Sequence, residues 1–305
     1  MATLTVPKPV PSPAEDAEAI HKACQGWIVN GQTLISILAH RDATQRKQIQ
    51  LAYKELSKED LTKKTRVSTK AVYRWNFEPV EREAVMAYIA LKKIFNPRVI
   101  IEIACVNSPN ELLAVKKAYQ AKYRCSLEED VAAHTDGDLR KLLFALVSTY
   151  HYDGKDIDAR LAKSEAKILQ KHIKDNELNH SEIIRIVGTR GKAQVNATFN
   201  SYREEYGTSI QEALAGKSTG EFALALQAAV ACIIDPHLYF VEVLDAALEK
   251  SDEDALTRVI VMRAEKDLGE IKDKFHKQKN VLLKQVVEKK TSGDYEGFLI
   301  ALLCA

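Results

Sequence analysis

The sequence predicts an all-α protein built from four copies of one unit of roughly 70 residues. Three observations carry that prediction: a segment that recurs in phase, a helix-start signal inside it, and a glycine-acid landmark at constant spacing behind it. No stretch alternates convincingly with the period of two that a half-buried strand requires.

The recurring segments align without gaps at 35–53 (ISILAHRDATQRKQIQLAY), 101–119 (IEIACVNSPNELLAVKKAY), 184–202 (IRIVGTRGKAQVNATFNSY) and 257–275 (TRVIVMRAEKDLGEIKDKF). One column holds Ile37, Ile103, Ile186 and Val259, and another holds Ile49, Val115, Thr198 and Ile271. Each segment ends on an aromatic residue, Tyr53, Tyr119, Tyr202 or Phe275. Apolar side chains recurring at equivalent places are the signature of a core position repeated in each copy.

Between the two apolar stretches of each segment lies the helix start. Asp42, Ser108, Gly191 and Ala264 share a column, and Gln45, Glu111, Gln194 and Asp267 share the column three residues on. That is a capping box, complete in the first two copies. Pro109 strengthens the second, because a missing N–H is no loss at the first helical position.

The landmark behind it reads HTDGDLRKLLFAL (134–146), KSTGEFALALQAA (217–229) and KTSGDYEGFLIAL (290–302). Gly137, Gly220 and Gly293 share a column, each followed by an acid, Asp138, Glu221 or Asp294, suited to the positive end of a new helix. Copy one departs, because its KKTRVSTKAVYRW is shorter and has neither glycine nor acid. Four or five helices per copy follow. The phasing gives a tail at 1–14, repeats at 15–82, 83–152, 166–237 and 238–305, and a polar linker at 153–165. The wider charged stretch 151–167 is expected to divide the protein into halves.

Composition narrows the function. With 46% hydrophobic and 28% charged residues the chain is globular in type. Its first residues mix proline with a single early lysine and lack the apolar stretch of a secretory signal. Phe222 to Ile234 is too short to cross a bilayer, which needs about 20 residues. Five scattered cysteines without a CxxC pair fit a reducing cytoplasm. A net charge of +2 concentrates no basic face, so no nucleic-acid partner is expected.

The fourfold frame of TR, capping box and GD-aromatic resembles the annexins, and SLEEDVAAHTDGD, LAKSEAKIL, ATFNSY, ALTRVI, RAEKDL and SGDYE resemble segments of the plant type. The resemblance covers nearly the whole chain. It implies five helices per repeat in a right-handed superhelix forming a slightly curved disc. It further implies calcium-dependent binding to acidic phospholipid and peripheral association with membranes from the cytoplasm; no catalytic residues are expected, because the sequence carries neither a complete phosphate loop nor a haem-pocket motif.

Family calcium loops take carbonyl oxygens from GxGT-[DE]-E and a carboxylate some forty residues on, since calcium wants six to eight oxygens. Copy one reads Gly26-Trp27-Ile28-Val29-Asn30-Gly31, keeping the first glycine only; copy four reads Leu248-Glu249-Lys250-Ser251-Asp252-Glu253, keeping the acids only. Copies two (Lys92 to Pro97) and three (Asp175 to His180) have nothing like it. The distal column holds Lys63, His134, Lys217 and Lys290, and a lysine repels calcium. A residual weak calcium site at Gly26, Asp252, Glu253 and Asp294 therefore competes with helix capping by the same acids. Calcium is expected to bind weakly or not at all. Lys250, Lys289 and Lys290 offer an alternative route to an anionic membrane, and Trp27 stands where plant annexins expose a tryptophan to headgroups.

Other matches imply further roles. Glu102 and Arg258 fall in the column that family members use to line a polar channel, and a structural salt-bridge network is the competing role. Cys105 and Cys232 match a redox-active pair, against the simpler role of small buried hydrophobes. Ile184-Arg185-Ile186 matches an actin-contact motif, although both isoleucines occupy core columns. His40 matches a histidine discussed for peroxidase activity, without a local haem-pocket motif. Gly216-Lys217-Ser218-Thr219 lacks the first glycine and the preceding strand of a phosphate loop. A helical scaffold binding protein partners such as the cytoskeleton, or a redox or peroxidase-like activity through His40 or the cysteines, is the alternative to a membrane-binding role.

Overall fold

The computed structural model describes residues 1–25, 30–65, 70–217 and 219–304. All regular structure among them is helical, five helices to a copy. Copy one comprises α1 (Pro13–Cys24), α2 (Gly31–Leu38), α3 (Ala43–Ser57), α4 (Leu61–Thr65) and α5 (Lys70–Trp75). Copy two comprises α6 (Pro79–Lys92), α7 (Pro97–Val106), α8 (Pro109–Tyr123), α9 (Leu127–His134) and α10 (Gly137–Ser148). Copy three comprises α11 (Ala159–Lys174), α12 (Ser181–Thr189), α13 (Lys192–Tyr206), α14 (Ile210–Leu214) and α15 (Glu221–Ile234). Copy four comprises α16 (Pro236–Lys250), α17 (Glu253–Arg263), α18 (Leu268–Lys279), α19 (Leu283–Lys290) and α20 (Gly293–Cys304).

The repeated columns are the core. Ile37, Ile103, Ile186 and Val259 are buried, as are Ile49, Val115, Thr198 and Ile271 and the four terminal aromatics. Thr198 tolerates its place because its hydroxyl donates to the Gln194 carbonyl at 3.1 Å, so no buried donor is left over. Both expected capping boxes form, Asp42 with Gln45 on α3 and Ser108 with Glu111 on α8. Copy four differs. Ala264 closes α17 rather than opening the next helix, and Asp267 precedes α18 without capping it. The Asp267 carboxylate is taken instead by Arg263, whose Nε donates at 2.6 Å.

That arginine belongs to a polar column with Arg41, Asn107 and Arg190. In copy one Arg41 forks onto the buried Asp16 of α1 at 2.7 and 2.9 Å. In copy three Arg190 donates to the buried Glu165 of α11 at 2.9 Å, and in copy two Asn107 donates to Glu83 of α6. Each of these three copies thus clamps the start of its long helix onto its first helix through one buried acid.

The glycine column is only partly uniform. Gly137 and Gly293 open α10 and α20 with φ of 52° and 66°, where a side chain would be strained. Gly220 instead precedes α15 at φ −66°, and the left-handed turn in copy three falls earlier, on Gly216.

The chain divides into two compact units, and not where the charged stretch suggests. Residues 1–82 and 240–305 form one, and residues 83–239 form the other, which runs straight through 151–167. That stretch is no divider because α11 begins inside it at Ala159, and Asp158 caps that helix. Copies one and four therefore share a core. At its centre Trp75 has the Arg46 and Arg82 guanidiniums over its ring, 3.9 and 4.6 Å from the ring centre, and Phe298 in an edge-to-face contact. Both arginines donate to Glu265, Arg46 at 2.9 and 3.1 Å and Arg82 at 3.1 Å. Burial alone would raise the Glu265 carboxyl, but the two guanidiniums outweigh it and hold it below the usual carboxylate value.

Candidate functional site

The loops joining the first and second helices of each copy, and the turns before the fifth, are where the sequence places its candidate ligands. In copy four α16 ends on Lys250, Ser251 takes a left-handed φ of 54°, and Asp252 begins the next helix. The Asp252 carboxylate accepts from the backbone N–H of Asp254 and Ala255 at 3.1 and 3.0 Å, so it is committed to capping α17. Glu253 is exposed. Its carbonyl accepts from the Tyr295 hydroxyl at 2.9 Å, and the same hydroxyl meets Thr257 at 2.9 Å.

Tyr295 thereby ties the start of α20 to the start of α17. Burial pushes its hydroxyl up to about 12, so it stays protonated and able to donate. Its neighbour Asp294 faces copy one: Gln32 Nε2 donates to its Oδ1 at 3.4 Å, and a Cβ on Gly31 would collide with its carboxylate. Asp252 and Glu253 are together, then, while Asp294 is engaged at the start of α2. Gly26 and Trp27, with Ile28 and Val29, lie outside the described residues.

Lysines crowd these same corners. Lys250 is the last residue of α16, and Lys289 and Lys290 are the last two of α19. All three are exposed. In the distal column Lys63, His134 and Lys217 are exposed as well.

Copy two uses its corner for an ion pair. Lys92 lies 2.9 Å from Asp130, which also accepts from the Tyr119 hydroxyl at 2.6 Å and from the Cys125 thiol at 3.1 Å. Burial works to raise Asp130, and these three donors overcome it and lower it. Asn96 caps α7, accepting from Arg98 N–H at 3.2 Å. Copy three carries no acidic loop at this corner but a cluster of His172, Glu177 and His180.

The remaining candidates are structural in their surroundings. Glu102 is buried on α7 and accepts from the Tyr239 hydroxyl at 2.9 Å; Arg258 is buried on α17, in the other compact unit. Cys105 and Cys232 are buried thiols, not joined in a disulfide, on α7 and α15, which pack together. Burial pushes Cys105 up to about 12, with Lys192 opposing, which keeps the thiol protonated and weakly nucleophilic at neutral pH. Ile184 and Ile186 are buried, and Arg185 between them bonds Glu182 at 2.9 Å and Glu165 at 3.2 Å. His40 sets Nδ1 3.2 Å from the Ser36 carbonyl, one turn back. Ser218 lies outside the described residues.

Two features escaped sequence reasoning. The Tyr295 tie was visible only as an aromatic after Gly-Asp, with no hint of its partner 42 residues back. The histidine cluster has a signal in its own spacing, His172, Glu177 and His180, which shares nothing with the calcium-loop pattern at that place in the repeat.

No helix among the described residues is long and apolar enough to cross a membrane. The family model described as Annexin matches residues 15–74, 86–146, 164–229 and 239–302. Annexin-like protein RJ4 from Fragaria ananassa is 52% identical over 99% of both chains. Annexin D7 from Arabidopsis thaliana is 46% identical, over 99% of this chain and 98% of its own. Among solved structures, chicken annexin V matches with a TM-score of 0.90 at 29% identity, covering 99% of this chain and 98% of that one. Calcium-bound annexin (Sm)1 matches with a TM-score of 0.77 at 27% identity, covering 99% and 93%.

Proposed function

The chain belongs to the annexin family, whose members are calcium-dependent phospholipid-binding proteins, and we infer that it binds acidic membranes peripherally with weakened calcium dependence. The observation that carries this reading is the corner of copy four. There Asp252 caps its own helix, and lysine stands both at Lys250 and at the distal position Lys290. A divalent cation approaching that corner meets positive charge where it needs a bidentate acid. The oxygens left at that corner are too few for the six to eight that a tight calcium site needs.

Lys250, Lys289 and Lys290 take over the attraction to anionic headgroups. What supports their acting together is the Tyr295 tie, which fixes the start of α20 to the start of α17, each just beyond a lysine-bearing helix end. Glu253 and Asp294 retain a weak residual affinity for calcium, and Trp27 is assigned to the headgroup region. The cytoplasmic leaflet, with its anionic lipid, is the surface this chemistry selects.

Co-sedimentation with phosphatidylserine vesicles, in chelator and in calcium, tests the reading. Binding in chelator is the expected outcome. Binding only in calcium would restore ordinary calcium dependence, and no binding in either would transfer the reading to a protein-binding helical scaffold.

A further inference from the structure

The turn between α11 and α12 is held more firmly than an idle loop requires. Asn176 takes a left-handed φ of 59°, and the chain then folds back so that Glu177 N–H donates to the His172 carbonyl at 2.8 Å. Leu178 is buried beneath it, and Asn179 Nδ2 donates to Asp138 Oδ2 at 2.7 Å. His180 closes the turn, its Nδ1 accepting from Glu182 N–H at 3.2 Å. Backbone, apolar and side-chain anchors thus hold a turn that carries three side chains close together.

Those side chains are two imidazoles and a carboxylate. His172 is 7% exposed, and its Nδ1 lies 2.8 Å from Glu177 Oε2. The His172 and His180 rings stack with centroids 3.5 Å apart and planes 14° from parallel. One ligating atom from each of the three lies within 4.8 Å of the other two, and no other such group occurs among the described residues.

We propose that His172, Glu177 and His180 form a site for a divalent transition-metal ion of the zinc class, with a further coordination position open to solvent. The donor set selects the metal. Two neutral imidazoles and one carboxylate are the three-ligand set of open zinc sites, whereas calcium would find too few oxygens. The spacing agrees, because ligands about 2.0 to 2.1 Å from a tetrahedral ion stand roughly 3.3 Å apart. The Nδ1 to Oε2 separation of 2.8 Å is already close to that edge.

His180 must turn out of its stacked position to converge, giving up the bond from Glu182 N–H. Its partial exposure leaves room for that rotation. Glu177 is exposed on the turn and forms the entrance to the site. Lys171 is the lysine that bears on Glu177, from an exposed position on α11, while Arg185 of α12 is occupied by Glu182 and Glu165.

Metal-stripped protein without an affinity tag is titrated with zinc by calorimetry and with cobalt by visible absorption, in the absence of vesicles. The parent is expected to bind one equivalent and to show the intense cobalt band of a tetrahedral site. Glu177→Gln and His180→Asn, the latter keeping a capping oxygen, should each lower zinc affinity at least tenfold and abolish the band. Parent protein that takes up no zinc, or variants that bind it as tightly as the parent, would overturn the proposal. Because no membrane is present, failure here leaves the phospholipid reading untouched.

Discussion

Replacing Lys250, Lys289 and Lys290 together by glutamine tests the electrostatic route to the membrane most directly. All three side chains are exposed at helix C-termini, so the change removes charge without opening a cavity. Each basic residue near an anionic leaflet contributes about 1 kcal/mol, so the triple variant should lose about 3 kcal/mol, roughly 100-fold in vesicle partitioning. The lost helix-dipole interaction is smaller and acts on folding rather than on binding. The assay is titration with phosphatidylserine vesicles in chelator, at low salt and again at high salt. Screening shortens to about 3 Å at 1 M salt, so parent and variant should converge there. A control triple at Lys54, Lys117 and Lys277, also exposed but on α3, α8 and α18, carries the same net charge and should keep most of the binding. Equal losses in the two triples would refute the argument, because binding would then follow net charge rather than these corners.

The other expectations concern calcium, the buried network and His40. Parent calcium affinity should sit at the weak end, roughly 10⁻⁴ to 10⁻³ M, and Lys250→Gly with Lys290→Asp should create calcium-dependent vesicle binding. Calorimetry giving a micromolar constant for the parent would sink that account. Glu265→Gln leaves Arg46 and Arg82 buried without their counter-charge and should cost about 3 to 5 kcal/mol in urea denaturation followed by tryptophan fluorescence. Because the folded Glu265 carboxyl is lowered from 4.5, its stabilisation is full above that value and is lost as pH falls below it. The variant should therefore show a shallower acid loss than the parent, and identical acid profiles would count against the network. His40→Ala should leave any background peroxidase signal unchanged, since this ring's described bond is to its own helix; a signal that vanishes with the substitution would contradict this.

The fold was legible because its determinants are local and repeated. Ile49, Val115 and Ile271 are apolar in sequence and buried in the structure, and a helix start such as Ser108 with Glu111 is written within four residues. Pairings between distant segments were not legible in the same way. Nothing near Trp75 in sequence announces that Arg46 and Arg82 will both meet its ring and share Glu265, and nothing near Asp294 announces Gly31. The division into units failed for a related reason: polar composition at 151–167 resembles a linker, but the grouping of copies depends on long-range packing. Copy four shows how one side-chain choice shifts a boundary. Asp267 fits a capping pattern in sequence, yet once Arg263 claims its carboxylate the helix starts at Leu268.

The same contrast explains why four copies of one unit present different chemistry at their corners. In copies one and three an arginine of the polar column meets a buried acid, and losing either partner would strand a charge away from water. Such pairs cannot change one residue at a time without a large cost, which is why copy two, with Asn107 in place of arginine, still offers a buried donor to Glu83. Exposed corner residues carry no such constraint, because substitutions there usually move stability by less than about 0.5 kcal/mol. Lysine at 250 and 290 and the exposed Glu177 beside the histidines of copy three are outcomes of that freedom on one repeated framework of helices. Ligand chemistry in this chain is therefore a property of each copy's corner, and restoring calcium at one should leave the metal preference of another unchanged.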